Sequence, residues 1–187
     1  KRDLRIKDHE ALHRASKIGP VMPLYILEPN LWKQPDMSYR HFCFLKDCLQ
    51  DLNDSLNSLG QKLIIRVGDA VEIFKDIQKR HKIDTLWSHQ ETWNKWTYER
   101  DMKVRNWANH QKIPWHEPTQ NGVVRRLKSR DGWAKNWKKR MFMPSFEPPV
   151  TLKKITEPTQ KMPKPIELGL EPLVKNEKIQ RGGINRA

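Results

Sequence analysis

Val21-Met22-Pro23-Leu24-Tyr25-Ile26-Leu27 is an apolar run that follows the Gly19-Pro20 stop, and Lys62-Leu63-Ile64-Ile65-Arg66-Val67 is a second run between Gly60 and Gly68. Short aliphatic runs bounded by Gly or Pro read as buried strands. Pro23 has no amide to give to a ladder, so it belongs near its strand's start. Between the runs, Leu45, Leu49, Leu52, Leu56 and Leu59 step by four and three, which gathers them on one helical face. Ser38 is a natural N-cap for that helix, and Gly60 supplies the left-handed residue that stops it. Strand, helix and strand in this order, with short joins, mean parallel strands linked by a right-handed crossover.

The same alternation continues on both sides. A helix carrying Val71, Ile73, Phe74 and Ile77 leads to a third strand at Thr85-Leu86-Trp87-Ser88-His89. A helix from near Asn94 to His110, with Val104 and Trp107 inward, leads to a weaker fourth at Ile113-Pro114-Trp115-His116. Upstream, Asp8 is placed to cap a short helix through about Lys17, with Ala11, Leu12 and Ala15 inward. No strand precedes that helix, although a doubly wound domain normally opens with one that sits centrally in the sheet. The chain opens on Lys1-Arg2-Asp3 without an initiator Met, so the expectation is that the first strand lies before Lys1 and that its absence leaves a hole in the core.

After residue 117 the character changes. Residues 123–140 hold eight Lys or Arg and one Asp. They read as a basic helical segment with Trp133 and Trp137 inward and the cations in solvent or against another domain. Residues 144–179, rich in Pro, Lys and Glu, read as an extended interdomain linker lying on a surface. Residues 1–143 are then one α/β domain, and 180–187 the start of something further.

Thirty-six Lys and Arg against 22 Asp and Glu give a formal charge of +14 over 187 residues. Such an excess suits a polyanionic partner such as DNA, or a basic surface that only aids solubility. Cys43 and Cys48 fall on one helix and lack the Cys/His partners of a zinc site, so no metal is expected. They read as reduced thiols of a cytoplasmic protein. No apolar run approaches the ~20 residues of a membrane span and no signal peptide is visible. The expected state is a monomer without a membrane partner.

Standard catalytic signatures are missing: no Gly-x-Gly-x-x-Gly, no phosphate-cradling Gly-Lys-Ser/Thr, no Gly-x-Ser-x-Gly and no His-Glu-x-x-His. The fragment is therefore not expected to be catalytic alone. In open α/β sheets, ligands bind beyond the carboxyl ends of the strands. Three segments fall there: Lys1 to Arg5, Glu28 to Met37, and His89 to Trp96. The last combines Trp93 and Trp96 with Glu91 and Asn94, a mixture able to stack on and hydrogen-bond a planar heteroaromatic ligand, or to pack against a neighbouring domain. Arg2, Asp3 and Arg5 are either part of that site or a structural ion-pair network with Arg100 and Asp101.

The opening Lys1-Arg2-Asp3-Leu4-Arg5-Ile6-x-Asp8-x-x-Ala11-Leu12 resembles the first motif of photolyases and cryptochromes. The resemblance runs on, in order, through Pro23-Leu24-Tyr25-Ile26, Ser38-x-Arg40, Arg66-x-Gly68-Asp69-Ala70, Arg100-Asp101-x-x-Val104 and Asn121-Gly122-Val123-Val124-Arg125-Arg126-Leu127. It continues through Gly132-Trp133 and Trp137 to Gly182-Gly183-x-x-x-Ala187. It implies a Rossmann-like, doubly wound parallel sheet of about five strands, the first missing here. It also implies an antenna chromophore (a folate, a deazaflavin, FMN or a lumazine) that passes excitation energy to FAD in a separate C-terminal helical domain. The parent protein would be a deoxyribodipyrimidine photo-lyase repairing DNA in light, or a cryptochrome blue-light receptor. By position, Glu91 and Asn94 fall in the folate-type antenna region, in a loop that departs from the common pattern by its two indoles. Arg125, Arg126, Lys128 and Arg130 would face DNA or the FAD domain. The alternative is a basic nucleic-acid- or protein-binding module with no chromophore.

Overall fold

The computed structural model describes residues 1, 3–171 and 179–184. Its elements follow the sequence closely. Helix α1 (Glu10–Ile18) precedes strand β1 (Leu24–Leu27), the short α2 (Pro29–Trp32) and the long α3 (Tyr39–Ser58). Strand β2 (Ile64–Val67), α4 (Ala70–Gln78), β3 (Leu86–Trp87), α5 (Lys95–His110) and β4 (Trp115–His116) complete the alternation, and α6 (Trp133–Met141) stands apart. Among the described residues no helix is long and apolar enough to cross a membrane.

The caps explain most boundaries. The Ser38 hydroxyl accepts from His41 N, both amides of Val71 and Glu72 donate to Asp69, and Asn94 Oδ1 accepts from Thr97 N. Gly60, at φ +90, takes the left-handed turn that ends α3. At α1 the expected cap is corrected. His9, not Asp8, receives the Leu12 amide, on Nδ1 at 3.0 Å. Asp8 sits at φ 50, and its Oδ1 and backbone amide bond Phe146 instead, so a contact across the chain outbids the local cap.

The leucine face of α3 lies where its spacing put it. Leu45, Leu49 and Leu56 are buried with Leu27, Trp32 and Phe42, and Leu52 and Leu59 pack against the same cluster. A smaller cluster, Trp107, Ala108 and Ile113, holds α5 to α4, with Trp107 stacked 5.3 Å from Phe74.

The α/β class and the parallel pairing hold, but the strands do not form one sheet. β1 pairs with β2, Leu24 opposite Ile64 through Leu27 opposite Val67. β3 pairs with β4, Leu86 opposite Trp115 and Trp87 opposite His116. Between the two ladders lies a cavity of about 1370 Å³, walled by β1 on one side and β3 on the other. The cavity separates the two ladders, so the described strands form two parallel pairs.

The 144–164 stretch is extended, but it does more than lie on the surface. Leu152 is buried in the main core, as are Leu168 and Leu170 just beyond the stretch. Gln160 N donates to Ile65 O, while Thr159 Oγ1 and Gln160 Oε1 accept from Ile65 N and Val67 N. These bonds satisfy the outer edge of β2, which otherwise would offer itself to another strand. The inward placement of Trp133 and Trp137 is a second correction. No residue of α6 is buried, and both indoles are about two-fifths exposed. They cover Gly122 instead: Trp133 Nε1 donates to its carbonyl, and a Cβ there would come within 2.2 Å of Trp137.

Candidate functional site

The carboxyl ends of β1 and β3 meet at one guanidinium. Glu28 directly follows β1, and Glu91 lies just beyond β3 on the way to α5. Arg100, one and a half turns into α5, donates from Nη1 to Glu28 Oε2 at 2.7 Å and from Nε to Asp101 Oδ1 at 2.8 Å, and its Nη2 lies 3.8 Å from Glu91 Oε2. All four side chains are largely buried. Burial pushes the Glu28 carboxyl up, while Arg100 pulls it the other way without cancelling the rise. Burial works against the Arg100 charge too, but Glu28 and Asp101 outweigh it and raise the guanidinium above its ordinary value. The result is a permanent cation beside a carboxyl that accepts a proton more readily than usual.

Further charges surround this centre. Lys1 Nζ bonds Asp101 at 2.8 Å and Glu117 at 3.3 Å, and Arg105 and Arg125 also pair with Glu117. Arg125 further donates from Nε and Nη2 to the Glu91 carbonyl, at 2.8 and 2.5 Å. The Glu91 carboxylate accepts from the amides of Thr92 and Trp93, so the loop turns tightly around it. The large cavity opens here between Glu28, Trp32, Asp36, Met37, Trp93 and Arg100. It offers apolar walls, an indole at the rim and a few convergent polar groups, which is the make-up of a small-molecule crevice.

The named site residues divide as follows. Glu91, Trp93 and Arg5 line the cavity. Asn94 does not: it caps α5 and donates from Nδ2 to Asp36 at 2.9 Å. Trp96 lies on the first turn of α5, away from the cavity lining. Arg2 lies outside the described residues. Arg5 bonds the carbonyls of Lys7 and Asp8, and Asp3 pairs with His9 and His89, so neither joins Arg100 as the ion-pair expectation had it. Burial would raise the Asp3 carboxyl, but the backbone ammonium at the start of this chain and the hydrogen bonds from His89 and His9 overcome it and hold it well below the carboxylate range. Arg126 reaches the Tyr98 hydroxyl, and Lys128 and Arg130 stand in solvent. Sequence reasoning missed Glu28 and Asp36 as individual residues. The rule that ligands sit past strand ends pointed to their segment but not to which side chains turn inward.

Among the described residues, Asp3, His9 and His89 are the one group that brings three metal-ligating atoms together. Their hydrogen bonds do not suit a metal. His9 Nδ1 accepts the Leu12 amide, so a neutral His9 carries its proton on Nε2, which points at Asp3 Oδ2 at 3.1 Å. The lone pair that a metal would need there is absent, and the carboxylate is already served by two imidazoles.

Residues 1–135 match the family described as DNA photolyase. The chloroplastic/mitochondrial cryptochrome DASH of Arabidopsis thaliana is 34% identical over 97 residues, covering 48% of this chain and 17% of that protein. The matched part thus spans under a fifth of that relative's length. Among solved structures, the Synechocystis sp. PCC6803 cryptochrome superposes with a TM-score of 0.73 at 21% identity, over 94% of this chain and 40% of that one. The Sulfolobus tokodaii photolyase, described with two FAD molecules and a novel light-harvesting cofactor, superposes at 0.63 and 22% identity over 82% of this chain and 36% of that one. These likenesses carry the α/β fold.

Proposed function

The chain belongs to the DNA photolyase family, and from that premise we propose that it is the light-collecting and scaffold-forming α/β part of a flavin-dependent photolyase or cryptochrome. Its scaffold in this reading is the family's doubly wound sheet of about five strands. The observation that carries the reading is the convergence of two strand ends on Arg100 beside an apolar crevice. The crevice suits a planar chromophore: Trp93 can cover a ring face, Arg100 can face carbonyl or anionic groups, and Glu28 can meet ring N–H groups. A folate, a deazaflavin, FMN or a lumazine has this chemistry, and the two-flavin description of the Sulfolobus structure supports the same use of the fold. Such an antenna would absorb light and hand the excitation to FAD. The FAD, its helical domain and a DNA substrate belong to the proposal, with Arg126, Lys128 and Arg130 facing DNA or that domain in a cytoplasmic monomer. The family match does not favour a chromophore-free basic module.

The test is spectroscopic. The intact protein, purified in the dark, is expected to absorb in the near-ultraviolet or blue beyond tryptophan and beyond one equivalent of FAD, and Trp93→Ala is expected to lower that excess without lowering the melting temperature. A protein that is colourless in this band and binds none of the four chromophore classes when they are added would refute the antenna reading.

A further inference from the structure

Helix α1 is capped by a side chain of a type that titrates near neutral pH. A backbone amide can only donate, and that of Leu12 donates to His9 Nδ1 at 3.0 Å. The capping atom is therefore an imidazole lone pair, and a proton added to the ring takes that lone pair. Helices α3 and α5 are capped by the Ser38 hydroxyl and the Asn94 amide oxygen, which keep their lone pairs at any physiological pH.

The ring cannot simply turn away. Its Nε2 donates to Asp3 Oδ2 at 3.1 Å, so it is held at both nitrogens, and its side chain is only 15% exposed. The charged and titratable groups around it come from three sides. Asp3 faces it from the opening segment, with the backbone ammonium at the start of this chain 3.6 Å from the other carboxylate oxygen. His89 faces it from the segment after β3, its ring 4.6 Å away and its Nδ1 on the same Asp3 oxygen. Along the chain, Asp8 pairs with Arg5 and Glu10 with Arg14, and His13, one turn on, donates from Nδ1 to the Glu147 carbonyl. Once His9 is protonated both nitrogens are donors. Nε2–H stays on Asp3, and Nδ1–H meets the Leu12 N–H with no acceptor between them. The partial positive charge of the helix N-terminus adds to the repulsion.

The first turn of α1 also holds another segment. Asp8, one residue before the cap, donates its amide to the Phe146 carbonyl at 2.7 Å and accepts the Phe146 amide on Oδ1 at 3.2 Å. The His13 ring lies 5.4 Å from that of Phe146. The 144–164 stretch therefore begins its course along the molecule docked on this turn.

We propose that His9 is a proton-operated N-cap. An unprotonated ring closes the first turn of α1, and a proton on Nδ1 opens that turn and loosens its seam with residues 146–147. The device is local and reversible, and it needs no ligand.

The experiment uses the intact protein. The ¹⁵N shifts of its labelled histidines report whether His9 Nδ1 is an acceptor or carries a proton, and hydrogen exchange is resolved to single amides and expressed as protection over the intrinsic rate at each pH. As the pH is lowered from 8 to about 5, protection at Leu12 and Phe146 is expected to fall about fivefold or more in step with protonation of Nδ1, while Thr97, capped by Asn94, stays unchanged. His9→Asn caps without titrating, so both amides are expected to stay protected over the whole range. His9→Ala is expected to leave both weakly protected at every pH. Protection that persists at either amide once Nδ1 carries its proton overturns the proposal. A His9 that keeps its lone pair throughout the range overturns it too. The same fall in His9→Asn assigns the response to another group, His13 or His89 first among them, and overturns it equally. The wild-type shifts and exchange decide the matter even where a variant does not fold.

Discussion

The Arg100 cluster and the Glu157 cluster are made of the same residue types and sit at opposite edges of the β1–β2 ladder, yet they close on different things. At the carboxyl ends, Arg100 gathers Glu28, Asp101 and Glu91 around the mouth of a large cavity. At the outer edge, Glu157 of the 144–164 stretch is held by Arg66 at 2.8 Å, Arg80 at 2.6 Å and His81 at 2.8 Å, and Asp76 braces both guanidinium groups. The Glu157 side chain has no exposed surface, and nothing but protein surrounds it. The first cluster is a cation with acids to spare beside open space. The second is an acid with cations to spare, its carboxylate fully enclosed although Arg80 and His81 also border the cavity. Ion pairs of equal geometry can therefore prepare a site or fasten a strap, and whether the acids or the cations face the open volume tells which.

Removing the centre of the first cluster should have the largest effect. Arg100→Met leaves Glu28, Asp101 and Glu91 partly buried without their common cation. Breaking a buried pair from one side costs about 3 kcal/mol. Adding Glu28→Gln should recover a good part of that loss, since the acid that most needed Arg100 is then neutral. Denaturant titration of the two variants and the double variant closes a cycle, and strict additivity would show that the pair is not the unit we describe.

The second cluster should cost less to break but should carry a pH signature. Glu157→Gln keeps the volume and some hydrogen bonds while removing the charge, for a loss of about 2 kcal/mol. The hydrogen bond from Arg80 is the main cause that holds the Glu157 carboxyl below its ordinary value, with burial opposing and His81 assisting. A depressed carboxylate stabilises the fold above its unfolded pKa and stops doing so as the pH falls through its folded one. The gap in melting temperature between wild type and Glu157→Gln should thus be constant at neutral pH and shrink below about pH 4.5. A gap that persists at pH 3 would mean that shape, not charge, fastens the strap.

The two clusters were unequally legible in the sequence. The α3 leucine face, its Ser38 cap and its Gly60 stop follow from local rules, and the structure repeats them. The segments past the strand ends were legible as a region because topology alone places them. Glu157 was not: it is one acid in a Pro- and Lys-rich stretch, and its partners lie 76 to 91 residues away. Asp8 failed as a cap for the same reason, because Phe146 competes for it from across the chain. The split sheet was legible only as an oddity, a helix with no strand before it. Patterns within a helix or a turn and the parallel sense of the strands could be read, and side-chain pairings between distant segments could not.

The crevice side of the comparison sharpens with a paired variant. Glu91→Ala with Asn94→Ala would mix two effects, since Asn94 caps α5 and its loss costs ~1 kcal/mol by itself. Asn94→Ser keeps a cap acceptor and removes the amide that reaches Asp36 without setting a second carboxylate against it. We expect Glu91→Gln, which keeps an acceptor for the Thr92 and Trp93 amides, combined with Asn94→Ser to reduce chromophore stoichiometry in the intact protein with a melting temperature within a few degrees of wild type. Unchanged stoichiometry would take this loop out of the site and leave the ligand to Glu28, Arg100 and Trp93.

The smallest expected effect on stability is also the cleanest test of the basic segment. Arg125 braces the loop beside the crevice, because it grips the Glu91 carbonyl and pairs with Glu117, so reversing it would disturb the loop. Lys128 and Arg130 stand in solvent, and Arg126 bonds the Tyr98 hydroxyl. Surface changes of this kind usually stay within about 0.5 kcal/mol. If these three side chains meet phosphates in the intact protein, Arg126→Glu, Lys128→Glu and Arg130→Glu together should weaken DNA binding. They should also flatten the plot of log affinity against log salt by about 0.9 for each duplex phosphate that is no longer neutralised. An unchanged slope with unchanged stability would assign the segment to a protein neighbour rather than to DNA, and the charge of residues 123–140 would then complement another domain's surface instead of a nucleic acid's.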